Sequence, residues 1–357
     1  MSSIYDIDKS YAENLRDGPC FDLHMLPERE WPQEDKWIDF LGYKVASPLG
    51  VPAGPLLNSA WTTLASKLGF DIVTYKTIRS KAHLGHPLPN VIFVEPDENN
   101  SKIAKKCERP KSLEKISITN SFGMPSMSPE YLLQDIAKAK SLLKKGQILI
   151  VSVVGTPEYS RSLAEDFVKA ALLAKEAGAD LIEANFSCPN VSSKEGELFS
   201  DPENAYEIAS KIVKAVSPTP VLIKVGCYKD AALLQNVLIN LAKAGVQGIC
   251  GINTIPMHVI DVNDKPALGE KRLVSGICGE YIRPFALEFI KTAHQIIQKE
   301  RLNLTLIGCG GIMTPEHFDE FLQAGAKAAL SATAMMWNPH LALKWHESEQ
   351  HKKRNKK

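Results

Sequence analysis

Residues 181–225 read LIEAN FSCPNVSSKEGELFSD PENAYEIASKIVKAV SPTP VLIKV, spaced here to separate their parts. Leu181 to Asn185 is a short apolar run of strand length. Pro202-Glu203-Asn204-Ala205 opens a helix whose apolar positions recur through Ile208, Ile212 and Val216, and Pro218 and Pro220 end it. Val221 to Val225 is again short and β-rich. A strand, a helix and a strand in that order make one parallel unit with a crossover helix.

The same alternation extends in both directions. Candidate strands lie at Leu49 to Ala53, Ile72 to Lys76, Ile148 to Val154, Leu181 to Asn185, Val221 to Val225, Gly248 to Asn253, Thr305 to Gly308 and Ala328 to Thr333. Helical periods fill gaps between them, as in Leu163 to Ala177 before Gly178 and Pro315 to Leu322 before Gly325. Eight strand-then-helix units predict an α/β fold, a (β/α)8 TIM barrel, since doubly wound sheets usually stop at fewer strands. The expected organisation is an N-terminal extension over residues 1–36, a barrel over 37–340 and a basic C-terminal tail over 341–357. The polar stretch 97–114 reads as a loop inserted after the second strand.

Composition removes several classes of function. The chain has 357 residues, 44% hydrophobic and 23% charged, with 42 Lys and Arg against 41 Asp and Glu. It is globular, and no global field draws it to nucleic acid or an anionic membrane. Its longest apolar run, Ile148 to Val154, is far short of the ~20 residues that span a bilayer, and the start of the chain carries no secretory signal, so a cytoplasmic protein is expected. Seven cysteines without a Cys-x-x-Cys pair argue against a disulfide frame, a zinc ribbon or an iron–sulfur cluster in this chain. The scattered histidines offer no metal-ligand spacing, so no metal is expected.

In such a barrel the chemistry gathers where strands end. The candidate strands end in Ala53-Gly54-Pro55, Lys76-Thr77, Asn185-Phe186-Ser187-Cys188-Pro189-Asn190, Lys224 and Asn253-Thr254. A lysine inside an apolar strand needs a partner. For either lysine alone a structural ion pair is a fair reading, but Lys76 and Lys224 at corresponding strand ends favour an anionic or electron-rich ligand between them. Asn120-Ser121-Phe122-Gly123-Met124-Pro125 adds an amide to those of Asn185, Asn190 and Asn253. Any one Asn is commonly a turn or cap residue, yet four at one mouth suit a planar ring whose edge alternates C=O and N–H, such as a pyrimidine. After the last two strands come Gly308-Cys309-Gly310-Gly311-Ile312 and Ser331-Ala332-Thr333-Ala334, where barrels commonly hold a phosphate monoester on backbone N–H groups. Cys188 sits on a polar segment with the composition of an active-site loop, and Cys309, between glycines, reads as small-residue packing.

These motifs, in this order from about Trp37 to Trp337, resemble the flavin-dependent dihydroorotate dehydrogenases. The match comprises Ala53-Gly54, Lys76-Thr77, Gly85-His86-Pro87-Leu88-Pro89, the Asn120 to Pro125 knot, Asn185 to Asn190, Lys224, Asn253-Thr254, Gly276 with Gly279, and Gly310-Gly311 with Thr333. The resemblance implies an FMN with its phosphate at Gly310, Gly311 and Thr333, beside Ala332, and its ring near Ala53, Gly54, Lys76, Thr77, Asn185, Gly276 and Lys224. Lys224 would face the N1/C2 carbonyl edge of the flavin. Substrate would meet Lys76, Asn120, Gly123, Met124, Asn185, Asn190, Asn253 and Thr254. Cys188 would be the catalytic base, with Lys76 beside the reacting ring, and a cysteine there is the mark of the cytosolic first class. The implied reaction takes a proton from C5 of dihydroorotate and a hydride from C6 to flavin N5, giving orotate for pyrimidine (UMP) biosynthesis by a cytoplasmic homodimer.

Three positions depart from the family pattern: Ala332 replaces a usual Gly, Asn90 a usual Arg and Phe122 a usual Met. Another FMN-dependent pyrimidine oxidoreductase, of dihydrouracil type, and a barrel without catalysis are the rival readings. As electron acceptor, fumarate or a quinone would need no further chain, whereas an iron–sulfur route to NAD would need a partner.

Overall fold

The computed structural model describes residues 3–26, 29–97, 100–187 and 198–354. Eight parallel strands close into a barrel in chain order: Leu49–Val51, Ile72–Ile78, Ile148–Val153, Leu181–Asn185, Val221–Lys224, Gly248–Gly251, Thr305–Cys309 and Ala328–Leu330. The last pairs with the first through Ala329 opposite Leu49. All eight strands expected from the sequence are present, and helices flank them.

Alternation along the strands sorts side chains by face. Ile182 and Ala184 point outward into the main core under the helices, whereas Leu181, Leu222, Ile150 and Ile307 point into the barrel. There they meet Phe40 and Val45 of a hairpin, Ile38–Phe40 with Tyr43–Val45, which plugs the end opposite the strand C-termini. Helix starts follow the sequence signals: Asp201 caps Pro202–Val216, its side chain accepting from the Asn204 amide at 3.1 Å.

A second, smaller closed sheet stands over the C-terminal mouth. Its five strands run Ile255–Ile260, Val274–Gly279, Ser117–Asn120, Val91–Pro96 and Ile103–Lys106, and the last pairs back to the first. The polar stretch after the second barrel strand therefore carries a strand, Ile103–Lys106, where a loop was expected. Its polar outer residues, Lys105 and Lys106, hide its pairing from a reading by apolar runs.

Both ends of the chain pack on this frame. Ile4 and Tyr5 are buried in the main core, and Arg29 reaches Asp71 at the start of the second barrel strand with paired contacts of 2.6 and 2.7 Å. Helix Leu341–Arg354 seats Leu341 and Ala342 in the core and ties Trp345 Nε1 to Asp319 at 2.7 Å. Among the described residues no helix is long and apolar enough to cross a membrane.

Candidate active site

A cleft of about 970 Å³, including its open mouth, lies between the barrel's C-terminal end and the small sheet. Ala53, Gly54, Lys76, Thr77, Asn120, Met124, Asn185, Lys224, Asn253, Thr254, Gly276, Ala332 and Thr333 all line it. Most come from a strand's C-terminal part or the turn after it, where side chains converge, while Gly276 lies within Val274–Gly279 of the small sheet. Gly123 does not line the cleft; it makes the turn before Met124 at φ 73°, where a Cβ would lie 2.6 Å from the His86 ring. Gly310 and Gly311 also stand off the lining. They form the turn after the seventh strand at φ 130° and 72°, and a Cβ on Gly311 would meet the Arg283 backbone nitrogen at 2.7 Å. Cys188 and Asn190 lie outside the described residues.

Contacts among the lining residues fix their geometry. The Lys76 ammonium lies 5.6 Å from the Phe122 ring centre and 5.9 Å from that of Tyr11, so two aromatic faces attend its charge. Thr77 donates to the Ser152 hydroxyl at 3.0 Å inside the barrel. Asn185 accepts from the Ser187 amide at 3.1 Å and turns its amide nitrogen to the Met124 sulfur at 3.9 Å. Asn253 donates to the Ser187 carbonyl, which links the fourth and sixth strand ends. Met124 holds φ 52°, uncommon for a residue with a side chain, while the buried Arg79 guanidinium donates to its carbonyl at 3.0 Å. The Thr254 hydroxyl is buried without a hydrogen-bond partner.

The electrostatics centre on the fifth and seventh strands. Lys224 is 2% exposed. Burial works against its charge, but the Cys309 and Cys250 thiols and the Glu183 carboxyl group hold it above the usual lysine range. Cys309 is pulled down to about 7, first by a hydrogen bond from Cys250 and then by Lys224. Cys309 therefore does more than pack: it lines the cleft beside a cation. Cys278 is pushed up to about 11 by burial, with Asn120 donating to its sulfur at 3.7 Å.

Several wall residues escape a reading by strand ends. Val91, Ile118 and Cys278 belong to the small sheet, and Met336 to the short helix after the eighth strand. Their signal was weak alternation in short segments. Tyr5 comes from the N-terminal arm, and nothing local in the sequence announces it. The departures also resolve locally. Ala332 takes φ −100°, a conformation open to any residue, so no Gly is required. Asn90 is buried and donates to the carbonyls of His86, Pro87 and Ser121, and Arg272 brings a guanidinium to the Pro89 carbonyl at 2.9 Å.

Buried ammonium, amide and hydroxyl groups around an open-mouthed cleft define a barrel enzyme that takes a planar, polar, anionic ligand. Among the described residues no group of His, Cys, Asp or Glu forms a metal site. The family model for dihydroorotate dehydrogenase matches residues 37–347, and the chain belongs to that family of oxidoreductases. A dihydroorotate dehydrogenase of Dictyostelium discoideum is 46% identical over 358 residues, covering 97% of each chain. The catalytic subunit of a dihydroorotate dehydrogenase B (NAD(+)) of Pyrococcus abyssi is 32% identical over 84% of this chain and 87% of its own. An NAD-dependent dihydropyrimidine dehydrogenase subunit of Escherichia coli is also 32% identical, over 85% of this chain and 69% of its own.

Proposed function

We propose that this protein oxidises dihydroorotate to orotate on FMN, in the pyrimidine biosynthetic route. One observation carries the reading: two buried lysines and the amides of Asn120, Asn185 and Asn253 line one cleft, in a chain 46% identical along its length to a dihydroorotate dehydrogenase.

The residues fit a flavin. Gly54 sits at φ 152° with open space where a Cβ would project, and the cleft has room for a tricyclic ring and a substrate ring together. The unpartnered Thr254 hydroxyl is a donor awaiting an acceptor. Gly310, Gly311 and Thr333 would hold the phosphate, and the Ser331 hydroxyl, donating to the Ile312 carbonyl at 2.8 Å, joins the two loops that carry them. When bound there, FMN supplies the hydride acceptor that no side chain can provide.

The chain's own groups do the rest. Lys76 neutralises the substrate carboxylate, and the Asn120, Asn185 and Asn253 amides pair with the ring's alternating C=O and N–H edge. Cys188 takes the C5 proton; this assignment rests on its place in the Asn185 to Asn190 motif. A free thiol has a pKa of ~8.5, so turnover rises with pH as thiolate forms. A cytoplasmic homodimer goes with this reading.

The test is anaerobic. Dihydroorotate should bleach the yellow protein, and dihydrouracil should not. Bleaching by dihydrouracil alone favours the dihydropyrimidine reading suggested by the Escherichia coli relative. Undiminished bleaching in Cys188→Ala would remove Cys188 as base.

A further inference from the structure

Inside the barrel, between the hairpin plug and the cleft, lies a polar layer that the reaction as described does not use. On the fourth strand Leu181 faces the plugged interior and Asn185 the cleft, so Glu183 between them points into the same interior. Glu183 is fully buried, and neither of its carboxyl oxygens has a hydrogen-bond partner. One strand over, Leu222 lies opposite Glu183 in register and Lys224 is two residues further up the same face. The Lys224 side chain hydrogen-bonds the Cys309 sulfur. Among the described residues the other titratable groups packed here are Cys250 and Cys309, with Tyr43 of the hairpin at the edge.

A buried ammonium and a buried carboxyl group in one dry interior are each very costly to charge alone, and far less so together. Of the three acids near Lys224, Glu183 is the only carboxyl group, and neither of its oxygens is engaged by another hydrogen-bond donor. Glu183 is thus the natural counter-charge, with Cys309 as the rival.

We propose that Glu183 is a positioning residue for the cofactor side of the site: its carboxyl group, inside the barrel, helps keep Lys224 protonated where the flavin ring lies. The inference rests on the FMN reading above. A protonated Lys224 stabilises the negative charge of the reduced ring and raises its potential. Without Glu183, burial is opposed by the two thiols alone, so the charge of Lys224 and the stabilisation it gives are reduced.

The experiment measures the flavin midpoint potential in FMN-loaded wild type, Glu183→Gln, Glu183→Asp, Lys224→Met, Cys309→Ser and the Glu183→Gln/Lys224→Met double variant. Glu183→Gln should lower the potential in the same direction as Lys224→Met. The double variant should fall no further than Lys224→Met, Glu183→Asp should recover part of the loss, and Cys309→Ser should stay near wild type. Glu183→Gln at the wild-type potential, or a fall in Cys309→Ser instead, overturns the inference. Thermal midpoints of the FMN-free proteins give a second reading: each single variant should melt lower, and the double variant should melt higher than the sum of the single losses implies. Strict additivity there also overturns it. Wild-type protein that takes up no FMN overturns the cofactor reading itself, an outcome separate from these.

Discussion

The ring of Tyr5 meets that of Phe122 edge to face, with centroids 6.0 Å apart and planes at 76°. One ring belongs to the N-terminal arm and the other to the turn that bears Met124, and both line the cleft. The arm is therefore a wall of the site as well as an extension of the chain. Tyr5→Ala should cost about 3–5 kcal/mol by leaving a cavity, and should raise KM because the wall opens. Tyr5→Phe removes only the buried hydroxyl and keeps the ring, so its cost should be far smaller than that of Tyr5→Ala. Chemical denaturation of both variants checks this pair of outcomes; a Tyr5→Phe loss as large as that of Tyr5→Ala would contradict it.

Phe122 also faces Lys76, and the two set a test of substrate charge. Lys76 is 7% exposed, so its charge acts in a largely dry cleft. Lys76→Met keeps much of the bulk and removes the charge. It should weaken dihydroorotate by about 10- to 100-fold in KM, as expected for a lost charge-assisted hydrogen bond, with FMN still bound. Phe122→Leu, which removes only the ring, should have a smaller effect. Titration of each variant with orotate, read by the flavin spectrum, separates them. Equal losses would put the effect in packing.

At the opposite end of the barrel Arg29 grips Asp71, which is also held by the Ser47 hydroxyl at 2.6 Å and the Gln147 amide at 3.1 Å. Both ion-pair side chains are nearly inaccessible, at 5% and 0%. Removing one partner of such a pair leaves a buried charge alone. Arg29→Met should cost about 3–5 kcal/mol, and Arg29→Met/Asp71→Asn should recover a large part of it. Urea unfolding of the single and double variants reads the coupling directly.

How far the sequence reaches differs between barrel and site. Each barrel strand is buried on both faces and so shows as a continuous apolar run, which is why all eight could be read from residues 49–333. Residues at their ends, such as Lys76, Asn185 and Lys224, stand out because they are polar in apolar company. The small sheet did not stand out: Ile103–Lys106 has one fully buried residue, and its pairing with Ile255–Ile260 joins segments about 150 residues apart. Tyr5 and Glu183 were hidden for opposite reasons. Tyr5 reaches the cleft only through tertiary packing of the arm. Glu183 looks like a surface charge until the alternation of its strand is tied to the barrel interior.

Stability should fall on the acid side because of His346. Burial, and next the charge of Arg29, hold this histidine down to about 4 from its ordinary 6.5, while its Nε2 lies 2.8 Å from the Gly69 carbonyl oxygen. The neutral ring donates to that carbonyl in the folded protein, whereas the unfolded chain binds a proton already near pH 6.5. Between about pH 6.5 and 4 the unfolded state therefore holds more protons. The contribution of His346 is whole above pH 6.5, declines as pH falls through this window and reaches its minimum below the folded value. A shift of this size corresponds to something on the order of 3 kcal/mol across the window. His346→Gln keeps an amide donor for the Gly69 carbonyl and cannot titrate. Denaturation midpoints of wild type and variant should lie close at pH 7.5 and separate at pH 5, with the variant the more stable of the two. Parallel curves for both proteins would show that acid sensitivity arises elsewhere, the half-buried His83, His86 and His317 being the next groups to replace.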